Sequence, residues 1–91
     1  MAKEIRRSVE ELYQRIRDHA QARIPCRAMD PELWFTDDLA GQRVAAAWCR
    51  LCPVRRECRE AGRRLQATHG VWGGEAPRDR RRAGHIFPTA Q

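Results

Sequence analysis

Four cysteines give this 91-residue chain its clearest capacity for chemistry: Cys26, Cys49, Cys52 and Cys58. Thiolates ligate zinc or iron–sulfur clusters, and pairs of thiols form disulfides in oxidising compartments. Structural zinc sites usually present two short Cys-x2-Cys knuckles, whereas this chain has only one, followed directly by proline. The one-plus-three spacing therefore favours an iron–sulfur cluster, with zinc as the next alternative. Disulfides or free thiols are the third, because residues 1–7 lack the apolar core of an export signal.

Two predicted helices would bring three of these thiols to one place. A helix over residues 44–51 puts Cys49 and Cys52 on one face. Pro53 then ends that helix and suits the first position of another, predicted over residues 53–68. The inward stripe of this second helix has i, i+4, i+7 and i+11 spacing and consists of Val54, Cys58, Ala61 and Leu65. The remaining cysteine, in the loop after Pro25, must fold back to complete the set.

The other predicted elements frame this site. Residues Ser8 to Ile24 have the periodicity of an amphipathic helix, with a capping-box start and Pro25 after its end. Asp30, followed by proline, predicts the start of a short helix, and Asp37 or Asp38 is predicted to cap the next one. In that later helix, the face adjacent to the cysteines is predicted to be core and consists of Val44, Trp48 and Leu51.

The glycine-rich segment Gly70-Val71-Trp72-Gly73-Gly74 is predicted to be a turn, because glycine adopts positive φ without steric cost. Its tryptophan has few neighbours to bury it and is predicted to anchor a partner, since tryptophan is frequent at interface hot spots. Leu33, Trp34 and Phe35 are three consecutive large apolar residues, which one short turn cannot all bury. At least one is predicted to be exposed or to shield the cysteine site; the alternative is that neighbouring helices bury all three.

In their order and spacing, these motifs resemble the WhiB-like proteins. The resemblance extends from Cys26 to about Arg82 and rests on Asp30-Pro31-Glu32-Leu33-Trp34-Phe35, Cys49-x2-Cys52-Pro53-Val54-Arg55-x2-Cys58, the glycine-rich turn and Arg78-Asp79-Arg80-Arg81-Arg82. It implies an actinobacterial or actinophage transcription factor with a [4Fe-4S] cluster on the four cysteines. It also implies binding to the C-terminal region of the principal sigma factor, and a cluster that responds to oxygen or nitric oxide. The expected sigma-contact residues are Trp34, Phe35, Trp72, Gly73 and Gly74.

Positive charge is concentrated in the second half of the chain, and the net charge of the whole is +6. Residues 27–49 carry a net −2, residues 50–64 a net +4 and residues 78–82 a net +3. This asymmetry is typical of contact with nucleic acid, while a solvated arginine-rich helix face explains residues 50–64 equally well. DNA phosphate contacts are predicted at Arg78, Arg80, Arg81 and Arg82. The chain lacks the family's Gly-Arg-Pro minor-groove hook, so we expect its own DNA affinity to be weak and salt-dependent.

Composition limits what can hold the fold together. Leu, Ile, Val and Phe together number only 15, too few for a purely hydrophobic core in so charged a chain. We therefore expect a metal centre to contribute folding free energy and the apo chain to be loose. The predicted fold class is all-α: a small bundle of about four short helices around a [4Fe-4S] cluster ligated by the four cysteines. The predicted parts are an N-terminal amphipathic helix (1–25), an iron–sulfur domain (26–74) and a basic C-terminal segment with a tail (75–91).

The predicted function is that of a non-enzymatic transcription regulator. No histidine base or carboxylate pair is placed for hydrolysis, and no apolar stretch approaches the ~20 residues that cross a bilayer. We expect a cytoplasmic monomer bound to sigma factor in the RNA polymerase holoenzyme and to promoter DNA. Two alternatives are a zinc-stabilised nucleic-acid-binding module and a thiol–disulfide oxidoreductase using Cys49-x2-Cys52. The oxidoreductase alternative lacks the βαβ context that such a motif normally has.

Overall fold

The computed structural model describes residues 2–85, so the tail predicted beyond residue 85 lies outside the described residues. Within that range the elements are α1 (Ala2–Arg17), a 3-10 turn (Gln21–Arg23), α2 (Pro25–Ala28), a 3-10 helix (Pro31–Phe35), α3 (Leu39–Cys49), α4 (Arg55–Arg64) and α5 (Pro77–Arg82). The same residues form no strand beyond an isolated bridge between Trp72 and Glu75. The predicted all-α class is confirmed. No helix in the described part of the chain is long and apolar enough to span a membrane.

Helix α1 begins and ends earlier than the helix predicted over Ser8–Ile24. After Arg17 the chain bends, and the following 3-10 turn returns Ile24 to the interior, where it is only 1% exposed. A straight helix, rising ~1.5 Å per residue, would instead carry Ile24 about 10 Å beyond Arg17. Burial of this one side chain therefore accounts for the early end of the helix.

Both predicted aspartate caps are present. The Asp30 carboxylate accepts a hydrogen bond from the Glu32 N–H and opens an element that is a 3-10 helix rather than an α-helix. The Asp38 carboxylate accepts from the Gly41 N–H at 2.9 Å, which fixes the start of α3 at Leu39. These bonds satisfy amide groups that the first turn of a helix leaves without internal partners.

Helix α4 is shorter than the helix predicted over residues 53–68. It ends two residues before Gln66, which adopts a left-handed φ of 52°. The Ala67 N–H then donates to the Gly62 carbonyl at 3.0 Å, as in a Schellman C-cap. Gly70 has a positive φ of 87° and lies in the glycine-rich turn that follows.

The interior of the described chain contains two small apolar clusters, and Ile24 is buried outside both. The first cluster joins α3, the 3-10 helix and the glycine-rich turn, and its buried members are Trp34, Ala45, Cys49, Val71 and Ala76. The second cluster joins α1 to α4, and its buried members are Leu12, Val54 and Ala61. Cys26 packs against the first cluster, whereas Cys52 and Cys58 pack against the second. The four cysteines are therefore divided equally between the two clusters.

The face of α3 that was predicted to be core is exposed. Val44 is 48% exposed, Trp48 40% and Leu51 72%. Helix α3 packs through the adjacent face, on which Ala45 and Cys49 are buried. A helix at the edge of a small domain has one buried stripe, and here the cysteine face occupies it. The prediction that Trp48 belongs to the core is therefore wrong.

Candidate metal centre

All four cysteines line one cavity of about 160 Å³. Cys49 is the last residue of α3, Cys52 lies in the turn before α4, and Cys58 lies within α4. Cys26 belongs to the short helix α2, not to a loop as predicted, and supplies the fourth wall of the cavity. All four thiols are free. The predicted convergence of α3 and α4 on one site is confirmed, and the fold adds the distant cysteine to it.

Burial makes three of these thiols, Cys26, Cys52 and Cys58, hard to ionise. It raises the pKa of Cys26 and Cys52, and it raises the pKa of Cys58 to about 12. The nearby Cys49 thiol raises the pKa of Cys58 further, while a hydrogen bond from the Gly73 backbone opposes the rise. Because each thiolate makes ionisation of its neighbours less favourable, four thiolates require a cationic centre between them.

Hydrogen-bond donors face the sulfur atoms. The indole Nε1 of Trp34 donates to Cys49 Sγ at 3.3 Å inside the first cluster. The backbones of Val54 and Gly73 hydrogen-bond to two of the other thiols and favour their thiolate forms. Such N–H groups around ligating sulfurs are typical of the surroundings that tune iron–sulfur clusters.

One further donor lies at the cavity without a partner. Among residues 2–85, Arg55 Nε is the one buried side-chain nitrogen or oxygen that lacks a hydrogen bond. Arg55 lines the same cavity as the four thiols. A buried donor left unpaired costs about 1–3 kcal/mol, and more when it is charged. A group with negative charge and acceptor sulfur atoms would satisfy this guanidinium.

The cavity has more room than a single zinc ion needs. A single zinc ion holds four thiolates at about 2.3 Å in a closed tetrahedron. A space of about 160 Å³ exceeds the ~10–15 Å³ that one water molecule requires by an order of magnitude. Within the described ranges, no group of three or more His, Cys, Asp or Glu residues lies in an arrangement that could hold a metal ion. The four thiols that line the cavity are the donor set of the [4Fe-4S] cluster expected from the sequence.

The residues expected to anchor a partner divide between the interior and the surface. Phe35 is 60% exposed, and Trp72 and Gly74 are half-buried. Trp34 is only 3% exposed, because its ring packs in the first cluster and its N–H is bonded to sulfur. Gly73 is buried against α4, where a Cβ would overlap backbone atoms. Burial contradicts the prediction that Trp34 and Gly73 contact a partner.

Gly70 allows Phe35 and Trp72 to lie side by side at the cavity. A Cβ on Gly70 would lie 2.9 Å from the Phe35 ring and 3.0 Å from Trp72 Nε1. The Trp72 ring also packs against α4, since a Cβ on Gly62 would approach the Trp72 Cβ to 2.6 Å. The expectation that Trp72 has few intramolecular neighbours is therefore wrong, although part of the ring remains accessible.

The glycine-rich segment forms a tight hairpin turn. Trp72 and Glu75 exchange two backbone hydrogen bonds of 2.9 and 3.0 Å, and the intervening Gly73 and Gly74 have φ values of 58° and 89°. Two successive positive φ angles characterise a type I′ turn, which glycine adopts without strain. The Glu75 carboxylate then accepts two hydrogen bonds from the Arg63 guanidinium, which fastens the turn to α4.

Arg80 of α5 holds the same segment from the other side. Its side chain is fully buried and donates to the carbonyls of Ala67 at 2.8 Å, Gly70 at 2.7 Å and Glu75 at 2.6 Å. Sequence reasoning assigned Arg80 to DNA phosphate because it treated the basic run as uniformly exposed. The burial of its guanidinium contradicts that assignment.

The other arginines of α5 are exposed. Arg78, Arg81 and Arg82 have the i, i+3, i+4 spacing that places side chains on one helical face. Helix α5 starts at Pro77, and Gly84 follows its end with a positive φ of 80°. The described part of α5 thus has a cationic outer face and one inward arginine.

Comparison with known proteins agrees with the sequence resemblance. The chain matches the family model described as Transcription factor WhiB over residues 20–83. It is 48% identical over 52 residues to the probable transcriptional regulator WhiB7 of Mycobacterium tuberculosis, a match covering 57% of this chain and 56% of that protein. It is 38% identical over 65 residues to transcriptional regulator WhiB2 of the same organism, a match covering 71% of this chain and 73% of that protein. It is 46% identical over 56 residues to transcriptional regulator WhiB4 of Mycobacterium marinum, a match covering 62% of this chain and 47% of that protein.

The extent of these matches is limited. The chain spans about half the length of the WhiB7 and WhiB4 relatives. No solved structure matches it.

Proposed function

The chain belongs to the WhiB family of transcription factors, and from this premise we propose that it regulates transcription through a [4Fe-4S] cluster. The proposed ligands are Cys26, Cys49, Cys52 and Cys58. The observation that supports this most strongly is the cavity lined by all four thiols, which are divided between the two apolar clusters. When bound, such a cluster supplies one-electron redox chemistry and, as the family resemblance implies, irons that react with oxygen or nitric oxide.

The proposed partner is the C-terminal region of the principal sigma factor within RNA polymerase holoenzyme. Phe35 and Trp72 supply adjoining aromatic surface, and Gly74 follows Trp72 by two residues in the turn. Exposed aromatic side chains next to a pocket are typical hot spots of protein interfaces. Because both rings also line the four-thiol cavity, a cluster held there would fix the shape of the surface offered to sigma factor.

The outer face of α5 is the proposed contact with promoter DNA. Arg78, Arg81 and Arg82 can bind phosphates, which position a protein on DNA without reading its sequence. Arg80 attaches this helix to the glycine-rich turn, so the proposed sigma surface and the proposed DNA face keep a fixed relation. Sigma factor would then determine which promoter is bound, while this chain would add affinity for DNA.

We do not propose an enzymatic role for the thiols. Redox-active cysteines of Cys-x2-Cys enzymes have lowered pKa values, whereas burial raises the pKa of Cys52. The proposed location is a reducing cytoplasm, which keeps all four thiols available as metal ligands.

The test is anaerobic co-expression with the principal sigma factor of an actinobacterial host, followed by iron, sulfide and zinc analysis of the purified complex. We expect the iron and sulfide content of one [4Fe-4S] cluster per chain. Each single Cys→Ser variant should lose that content, because four thiols are required. Stoichiometric zinc without sulfide would replace the proposal by the zinc-module alternative. A cluster-loaded chain that fails to bind sigma factor would remove the partner and leave the cluster.

A further inference from the structure

We propose that Trp34 and Arg55 are paired N–H donors to the sulfur atoms of the bound cluster, and that together they raise its reduction potential. The inference rests on the proposed cluster and adds the residues that set its redox behaviour. Neither side chain is a metal ligand. Both act on the site through hydrogen bonds and charge, which are among the means by which proteins tune such centres.

Trp34 carries the first part of the inference. Its indole N–H, a donor that cannot also accept, is directed to Cys49 Sγ at 3.3 Å. The residue is 3% exposed, and its carbonyl accepts the Val71 N–H at 2.7 Å, so backbone and ring are both held in place. A phenylalanine would fill most of the same space. The feature that distinguishes tryptophan here is the donor.

Arg55 carries the second part. Its Nε is buried without a partner, and the side chain lines the cavity. The Gly73–Gly74 turn covers it closely, with the Cβ position of Gly74 only 3.6 Å from this Nε. The ion pairs found among residues 2–85 do not include Arg55. The residue as a whole is partly exposed, but its buried Nε–H needs an acceptor, and the four-thiolate site is the anionic acceptor that its cavity offers.

The sign of the effect follows from charge. Reduction adds one electron to the cluster, breaks no bond, and places more negative charge on its sulfur atoms. Hydrogen bonds from N–H groups strengthen as the acceptor becomes more negative, and a nearby guanidinium adds direct attraction. Both donors therefore stabilise the reduced state more than the oxidised state. A tenfold shift in a one-electron equilibrium corresponds to about 59 mV, and we expect each residue to contribute at least about that much.

The experiment is a spectroelectrochemical titration of the full chain, purified anaerobically with its cluster. Trp34→Phe removes the indole donor, and Arg55→Met removes charge and donors at similar length. Each should lower the midpoint potential, with a reduction equilibrium at least about tenfold less favourable. Tyr13→Phe is the matched control, because Tyr13 lines the same cavity and the change also removes one polar hydrogen from an aromatic ring. Its potential should equal that of the unmodified chain.

Two further measurements identify the physical cause. Arg55→Lys keeps a positive charge but loses the Nε donor, so its potential should fall toward that of Arg55→Met. A midpoint potential in Arg55→Lys equal to that of the unmodified chain would show that the Nε donor is not required and would overturn the donor role of Arg55 Nε. In the unmodified chain, exchange of N–H for N–D should shift the resonance Raman bands of iron–thiolate stretching. Their insensitivity to exchange would overturn the donor role of Trp34, even if Trp34→Phe could not retain a cluster.

The outcomes also separate this inference from the proposed function. Unchanged potentials in Trp34→Phe and Arg55→Met, with full iron and sulfide, would overturn the inference and leave the cluster in place. An unmodified chain without iron and sulfide would overturn both.

Discussion

Trp34 and Phe35 are consecutive in sequence but have opposite environments. The first is 3% exposed and the second 60% exposed. They belong to a 3-10 helix with about three residues per turn, so neighbouring side chains diverge by roughly a third of a turn. One ring therefore packs inside the first cluster while the next lies on the surface. Partner binding should depend directly on Phe35.

We predict that Phe35→Ala weakens binding to the isolated C-terminal region of sigma factor by roughly thirtyfold to a thousandfold. The basis is that loss of an aromatic anchor costs on the order of 2–4 kcal/mol. Iron content should stay unchanged, because Phe35 is largely exposed. Leu51→Ala is the control, since Leu51 is 72% exposed and does not line the four-thiol cavity, so this variant should bind normally. Unchanged affinity of cluster-loaded Phe35→Ala would exclude this residue from the interface.

Sequence reasoning identified the cysteines but not the environment of Trp34. Helical spacing alone indicates that Cys49 and Cys58 lie on inward faces, because that information is local. Three consecutive apolar residues carry no local signal for which one turns inward. That choice depends on the contact between Trp34 and Cys49, which are 15 residues apart.

At the scale of elements, the docking of α1 on α4 depends on apolar contact. The ion pair between Glu4 and Arg64 is short, at 2.6 Å, but both side chains are about half exposed. Exposed pairs of this kind contribute roughly 0–1 kcal/mol. Leu12, by contrast, is 6% exposed and packs with Val54 and Ala61. Leu12 should therefore stabilise the contact between α1 and α4 more than the Glu4–Arg64 ion pair does.

We predict that Leu12→Ala lowers the free energy of unfolding by about 2–5 kcal/mol, as buried leucine truncations do. Leu51→Ala makes the same chemical change at an exposed site and should stay within about 0.5 kcal/mol of the unmodified chain. Urea denaturation of the cluster-loaded chains under anaerobic conditions measures both. Equal effects of the two changes would mean that α1 does not pack on α4 in solution.

Helix α5 permits a comparison between its exposed and buried arginines. We predict that replacing Arg78, Arg81 and Arg82 by alanine flattens the slope of log DNA affinity against log salt by about 0.9 for each phosphate that is no longer bound. Iron content and sigma binding should not change. Arg80→Ala should instead disturb the glycine-rich turn and weaken sigma binding, because three carbonyls lose their donor. If DNA affinity keeps its salt slope in the triple variant, the outer face of α5 does not contact phosphate.

Element boundaries were predictable where their cause is local. Asp30 and Asp38 cap the elements they precede, and Pro77 opens α5, because a cap or a proline acts within one turn. The end of α1 depends on the distant burial of Ile24. The end of α4 depends on a left-handed Gln66, a residue type that gives no such signal in sequence.

For the molecule as a whole, the cavity separates two clusters that are each too small to be a stable core. They contain five and three buried residues in the described chain. The Val71 N–H donates a hydrogen bond to the Trp34 carbonyl and so links two members of the first cluster. Trp72, the next residue, packs against the second cluster. A cluster bound to all four cysteines would join the two halves and add ligand-binding free energy to folding.

We predict that the cluster is harder to remove as pH rises. Burial raises the pKa of Cys58 from 9.0 to about 12, so the neutral thiol stabilises the apo fold below pH 9, and this contribution is lost as pH rises through about 12. Ligation requires thiolates and releases their protons. The chelator concentration that removes half the iron should therefore rise at least about tenfold between about pH 7 and pH 8, equivalent to one proton per chain. If the same chelator concentration removed half the iron at both pH values, ligation would not be linked to proton release.

The burial of Arg80 places neighbouring, chemically identical residues under two unrelated constraints. At positions 81 and 82 a lysine preserves the charge that an exposed cationic face requires, and other substitutions alter only the strength of that face. At position 80 a lysine cannot reproduce the planar fork that holds three separate carbonyls. Substitutions elsewhere in α5 can therefore change how the helix contacts DNA. They leave the glycine-rich turn in place as long as Arg80 is kept.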